Sequence, residues 1–370
     1  MEKLKRLFYP DRLNRKNGMI EFLRFAFCAA VVLLHSDPLF DGGIRPMKYG
    51  SYAVEFFFAV SGYLMMLHIE KTQLTGDEKP LGAETAGFLW HKFKGLIPYL
   101  VSVFAIGLII HYIFLRGTLN AQERYTYFVT AFGELFLLRM SGVKVQVLNG
   151  NLWYISSMLI VMLALYPAAR KWKDKFTHII APFTAIILLG WICRSDALLE
   201  KPGTWTSLGH FGTVRAAAAI CLGCTAYAAA SALSKVRLKR WFRAVLTVFE
   251  WLGYALVLIS MQYADEKSVQ VMMIFLTAVL VALSFSTVTY SCRFMNSRFF
   301  YALGKFSLPW YIYHYVMRYT LIYFRDELGL DLPSGELFAI YIIGGLVMSA
   351  VFEAAIRLIK KHPIKITESV

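Results

Sequence analysis

Apolar runs of about 20 residues recur from one end of the chain to the other, each long enough to cross a hydrocarbon core of about 30 Å. Ten are legible, at 20–37, 51–67, 96–115, 152–168, 178–193, 212–232, 244–262, 269–289, 303–323 and 336–358. Inside a bilayer the backbone must satisfy its own hydrogen bonds, so such runs fold as helices. The expected class is all-α, integral membrane, with about ten transmembrane helices. Composition excludes the soluble alternatives: only 17% of the 370 residues are charged, too few to cover a water-exposed surface around so much apolar sequence. The whole of 1–370 reads as one transmembrane domain, with no fused soluble domain and no internal repeat.

The net charge of +15 belongs to topology rather than to nucleic acid, because the cations sit in short loops beside the apolar runs. With ten spans, about 26 Lys and Arg fall on one side. They include Lys3, Lys5, Arg6, Arg12, Arg15 and Lys16, the loops around 71–94, 170–175, 235–243 and 293–305, and the tail from Arg357 to Lys365. The opposite loops carry acidic pairs such as Asp265–Glu266 and Asp326–Glu327. Both termini are therefore expected in the cytoplasm, and the basic start with no small-residue cleavage site is retained. A further aromatic stretch, 124–140, carries Arg124, Glu134 and Arg139. Counting it as a span would turn every later basic loop outward, so it is expected to be interfacial or re-entrant on the outer side. Gly87 to Tyr99 reads as an amphipathic helix on the cytoplasmic interface ahead of the third span.

Ionisable residues inside apolar runs are costly and mark candidate sites. They are His35, His111 and His314, with Arg24, Glu55, Arg215, Arg318 and Glu353 in the runs or at their edges. Arg24 and His35 share one helix, eleven positions apart. Eleven residues turn about 1100°, within about 20° of three full turns, and rise about 16 Å. Both side chains thus lie on one stripe, fit for a long ligand with an anionic end below and a reactive end above. Glu55 enters the second run at about the depth of His35, and a His–carboxylate pair would fix the ring tautomer of a general base. Ser61-Gly62 lies lower on that run, where small residues allow close helix approach. Arg215 stands at the outer end of its run as an interfacial anchor or a glycan contact. Cys221 and Cys224 read as core packing, and no metal site is expected.

These residues resemble acyltransferase family 3, the integral-membrane O-acyltransferases of bacterial surface and exported glycans. Arg24 and His35 match its basic-x10-His pattern. Val54, Glu55, Phe57, Phe58, Ser61 and Gly62 match its second-span motif, with Glu where Asp is common. Lys92, Lys94, Pro98 and Tyr99 look similar to its basic segment before the third span, with Lys in place of Arg. Leu152-Trp153-Tyr154-Ile155-Ser156 and Gly304-Lys305-Phe306-Ser307 followed by Tyr311-Ile312-Tyr313-His314 complete the order.

The resemblance implies acyl transfer from acyl-CoA, usually acetyl-CoA, to a carbohydrate hydroxyl at the bacterial inner membrane. Arg24, Lys92 and Lys94 would hold the CoA phosphates, while His35, with Glu55, would deprotonate the acceptor or carry the acyl group itself. His314, Tyr311 and Trp153 are candidate oxyanion donors, and Ser61 is weighed as structural before catalytic. The partners implied are acetyl-CoA, a polysaccharide or lipid-linked glycan and the bilayer, without nucleic acid. The competing expectation is a polytopic secondary transporter or glycan flippase, in which Arg24, His35, Glu55 and His314 line a pathway.

Overall fold

The computed structural model describes residues 17–40, 45–75, 79–114 and 119–361. Lys3, Lys5, Arg6, Arg12, Arg15, Lys16 and Lys365, which entered the charge count, lie outside the described residues. Eleven long helices follow in order: α1 Gly18–Leu34, α2 Ala53–Thr75, α3 Leu81–Phe114, α4 Ala121–Leu135, α5 Trp153–Lys171, α6 Ala181–Arg194, α7 Phe211–Leu233, α8 Arg240–Tyr263, α9 Lys267–Ser286, α10 Arg298–Leu328 and α11 Ser334–Lys361. A π-turn at Phe176–Ile180 leads into α6. Among the described residues the strand content is a two-residue hairpin, Trp205–Thr206 against Gly209–His210.

Among the described residues eight helical segments are long and apolar enough to cross a membrane, so the chain is a multi-pass membrane protein. Of the ten expected spans, α1 and α10 are outside that eight. The first has 17 residues, and the second is rich in Tyr and carries His314 and Arg318. Both are nevertheless central to the bundle, packed against each other. Cys28 Sγ donates to the carbonyl of Ser307 at 3.2 Å, and Phe25 stacks on Trp310. The foot of α1 is fixed by Asn17, whose side-chain oxygen caps the N–H groups of Met19 and Ile20 while its amide donates to Ser284 O at 2.8 Å.

Helices α2 and α7 cross closely. A Cβ on Gly62 would lie 2.2 Å from Ile220 O, and one on Gly223 would lie 2.0 Å from Ala59 O. No methyl fits at either place, so the small-residue reading of Ser61-Gly62 describes this contact.

Two expectations about local structure change. The segment Gly87–Tyr99 is not a separate interfacial helix: it is continuous with the third span in α3, which runs 34 residues, about 51 Å, through Pro98. The 124–140 stretch forms α4 and a short 3-10 turn at Leu138–Met140. A capping box between Asn120 and Glu123 starts α4, which then packs along α3 through Phe104 and Phe132. Its troublesome carboxylate is accounted for: Glu134 is buried and accepts from the backbone N–H groups of Leu148 and Asn149 at 3.0–3.3 Å.

The loops sort onto two ends. Contacts such as Glu70–Lys173 and Arg243 Nε with Val288 O mark the basic end. Contacts such as Tyr49 N with Met261 O, Lys267 Nζ with Ser195 O and Arg325 Nη1 with Pro38 O mark the other.

Candidate active site

His35 is the residue on which α1 ends. Its N–H still bonds Val31 O at 3.2 Å, but the chain turns away after it, which throws the imidazole off the helix toward α10. With α1 rising about 25 Å from its foot, the ring stands deep in the bundle, opposite the middle of α10. There it meets His314, a fully buried side chain: His35 Nδ1 and His314 Nε2 are 3.0 Å apart.

The hydrogen-bond pattern assigns the tautomers. His314 Nδ1 lies 3.1 Å from the carbonyl of Trp310, one turn back, and only an N–H can bond there. A neutral ring then has its lone pair on Nε2, and that nitrogen accepts a proton-bearing Nδ1 from His35. The remaining nitrogen of the pair, His35 Nε2, holds a lone pair available to an incoming hydroxyl. The ring of Tyr315 stands edge-on to His35 with centroids 5.1 Å apart.

His35 lines a cavity of about 360 Å³ whose other walls include Trp153, Arg139, Tyr311, Tyr315 and Arg318. Leu199, Glu200 and Pro202 from the α6–α7 loop also line it, which opens it toward the end opposite the basic one. Tyr311 holds this wall together: its hydroxyl donates to Asn151 O at 2.8 Å, Asn151 Nδ2 donates back to Tyr311 O, and Asn149 Nδ2 donates to Ile312 O at 3.2 Å. Asn149 is in turn placed by the Glu134 carboxylate, which accepts its backbone N–H. Burial pushes that carboxyl up to about 7, while the bonded N–H groups and the charge of Arg139 pull the other way.

Glu55 does not meet His35. Both of its oxygens are taken by Arg215, at 2.6 Å from Nε and 2.9 Å from Nη2. The pair is buried, with the two side chains 2% and 1% exposed. Arg215 spends its other donors on Leu199 O and Ser51 O, and Trp153 lies under it with the guanidinium carbon 5.1 Å from the ring centre. The expectation that Arg215 is an interfacial anchor or glycan contact is corrected in the same way. The close α2–α7 crossing brings the two charges together, and a forked guanidinium matches a carboxylate better than one imidazole N–H does. Trp153 therefore reaches the cavity from a base built of Arg215 and Glu55.

Toward the basic end, Arg24 pairs with Glu21 at 3.1 Å and stays partly exposed. Its charge is felt at Lys92 of α3, Cys28 of α1 and Tyr154 of α5. Lys92 lies over the Phe88 ring and lines a second cavity of about 550 Å³ with His68, His91 and Lys79. Lys94 is exposed and is not part of that wall. Ser61 donates to Met158 Sδ at 3.3 Å at the α2–α5 contact. Cys221 and Cys224 are buried in α7.

Sequence reading named His35 and His314 separately but not as partners, since 279 positions separate them. It passed over Tyr315, and it read Arg139 only as a charge in the 124–140 stretch. A signal for the cavity wall was present in α10, where Tyr311, Tyr315 and Arg318 recur at four- and three-residue steps on one helical face.

A family model described as an acyltransferase domain matches residues 17–354. No curated protein and no solved structure matches the chain. The matched stretch contains both histidines and every cavity residue named above, and the chain belongs to acyltransferase family 3.

Proposed function

We propose that this protein moves an acetyl group from acetyl-CoA, bound at the basic end, to a hydroxyl of an exported glycan held in the cavity at the other end. The observation that carries the reading is the chain Trp310 O, His314, His35, which leaves a lone pair on His35 Nε2 in the cavity wall. That nitrogen takes the acceptor proton, the alkoxide oxygen attacks the thioester carbonyl, and the departing CoA sulfur recovers the proton from His35 Nε2. The imidazolium formed in between stands at the C-terminal end of α1, where the helix dipole favours a positive charge.

In this reading α1 and α10 cross the membrane with the other eight, making ten spans. The positive-inside bias supports a cytoplasmic basic end and cytoplasmic termini, in a bacterial inner membrane. Arg24 and Lys92 receive the CoA phosphates. The roughly 16 Å rise from Arg24 to His35 is then covered by the extended pantetheine arm. Tyr311 and Trp153 shape the acceptor side, and Glu55 supports it through Arg215.

Purified protein incubated with acetyl-CoA and a bacterial surface glycan should give O-acetylated product and free CoA. His35→Ala should still bind acetyl-CoA but transfer about two to four decades more slowly. Glycan movement across vesicles with no CoA released would favour the transporter or flippase reading instead.

A further inference from the structure

Arg318 is a cation within the bundle whose needs the folded chain does not meet. It lies in the interior of α10, one turn beyond His314, and its Nε is buried with no hydrogen-bond partner. Its guanidinium carbon sits 5.1 Å from the Tyr315 ring centre and 5.6 Å from that of Tyr319. Among the described residues no carboxylate lies within ion-pair distance of it, while neighbouring cations of the same end are matched: Arg45 by Asp37 at 3.0 Å, Arg325 by Asp326 at 2.8 Å and Arg215 by Glu55. A charge at this depth is expensive unless something answers it. Ring faces contribute, but they leave the N–H groups unused.

The position of that unanswered charge is informative. Arg318 lines the same cavity as His35, and its field reaches both imidazoles. Tyr315 lies between them: its ring centre is 5.1 Å from the His35 ring and 5.1 Å from the guanidinium, so base and cation are within about 10 Å of each other. The cavity wall also holds Arg139 and Lys48. Its two carboxylates are Asp37, already taken by Arg45, and Glu200. Cations in the lining, Arg45, Lys48, Arg139 and Arg318, thus outnumber the carboxylates.

We infer that the acceptor is an anionic sugar, whose phosphate or carboxylate binds Arg318 while a hydroxyl about one sugar ring away meets His35 Nε2. The inference rests on the acceptor side of the transfer proposed above. The guanidinium fork suits either anion, as both present two coplanar or near-coplanar oxygens. Lys48, exposed at the mouth, adds to attraction on approach rather than to the bond itself.

The test uses the full-length protein in a neutral maltoside detergent. Acceptors are disaccharides matched except for one residue: glucose, glucuronic acid or glucose 6-phosphate. In kcat/KM the charged acceptors should exceed the neutral one by about ten- to hundred-fold, the worth of one charge-assisted contact, and the margin should narrow with salt. Arg318→Gln should bring the ratio close to one, chiefly through KM, and Arg318→Lys should keep part of it. Lys48→Gln, at an exposed site, should slow capture of the charged acceptors modestly and preserve the preference. The glucuronate and phosphate arms identify which anion is used. Equal rates on charged and neutral acceptors, or a preference unchanged in Arg318→Gln, would overturn the inference and leave acyl transfer standing. Binding is read separately by thermal shift without donor. Arg318-dependent binding of a charged disaccharide with no transfer from acetyl-CoA would sustain the anion site and overturn the transferase reading.

Discussion

In the proposed mechanism His314 is a positioning residue, so its loss should cost a predictable amount and no more. In His314→Ala the His35 Nδ1–H loses the acceptor 3.0 Å away, and the imidazolium formed during transfer loses the hydrogen bond that holds it. A hydrogen bond to a charged group is worth about 1.5–3 kcal/mol, so kcat should fall by about one to two decades. His35→Ala removes the base itself and should cost about two to four decades. Because His314 works through His35, the double variant should be no slower than His35→Ala alone, which is the non-additivity expected of residues acting as a unit. His314→Gln keeps an acceptor oxygen and should recover much of the rate. The assay is release of the CoA thiol in the presence of glycan, read with a thiol reagent. A double variant slowed by the product of the two single losses would refute the reasoning. So would a mild His35→Ala beside a crippled His314→Ala, which would make His314 the base.

Glu55→Ala or Arg215→Ala should act on folding before chemistry. Each leaves a buried charge alone, a loss of about 3–5 kcal/mol, seen as a lower melting temperature in detergent; replacing both with apolar residues of similar volume should recover most of it. Arg24→Ala should weaken acetyl-CoA binding by about one to two decades and Arg24→Lys by less, read by calorimetry on the purified protein. Glu134 gives a pH signature. Its folded carboxyl sits at about 7 against an ordinary 4.5, so the proton it keeps stabilises the fold at low pH, and that contribution is lost as pH rises through 7. Melting temperature should thus decline between pH 5 and 8 more steeply in the wild type than in Glu134→Gln. Topology is checked by a cysteine near position 130, which should label from outside the cell.

Much of the architecture was readable because lipid leaves a chain few options. Apolar length located the long hydrophobic helices, α1 and α10 included. What failed were questions of partnership. Depth alone matched Glu55 to His35, whereas the α2–α7 crossing at Gly62 and Gly223 brings Arg215 to it instead. The His35–His314 contact joins the ends of the sequence and leaves no mark in local spacing. Hydropathy undervalues α10 because its tyrosines, histidine and arginine face a cavity and neighbouring helices instead of lipid. The separate interfacial helix at 87–99 was drawn where polarity changes, but a helix can pass from interface to core without a break.

The central claim is that donor and acceptor reach one histidine from opposite ends of the bundle. It is tested by sealed proteoliposomes with labelled acetyl-CoA trapped inside and glycan supplied only outside, counting molecules oriented with the basic end inward. The account predicts label on the external glycan, lost in His35→Ala. Transfer only when glycan and acetyl-CoA share one compartment would contradict it.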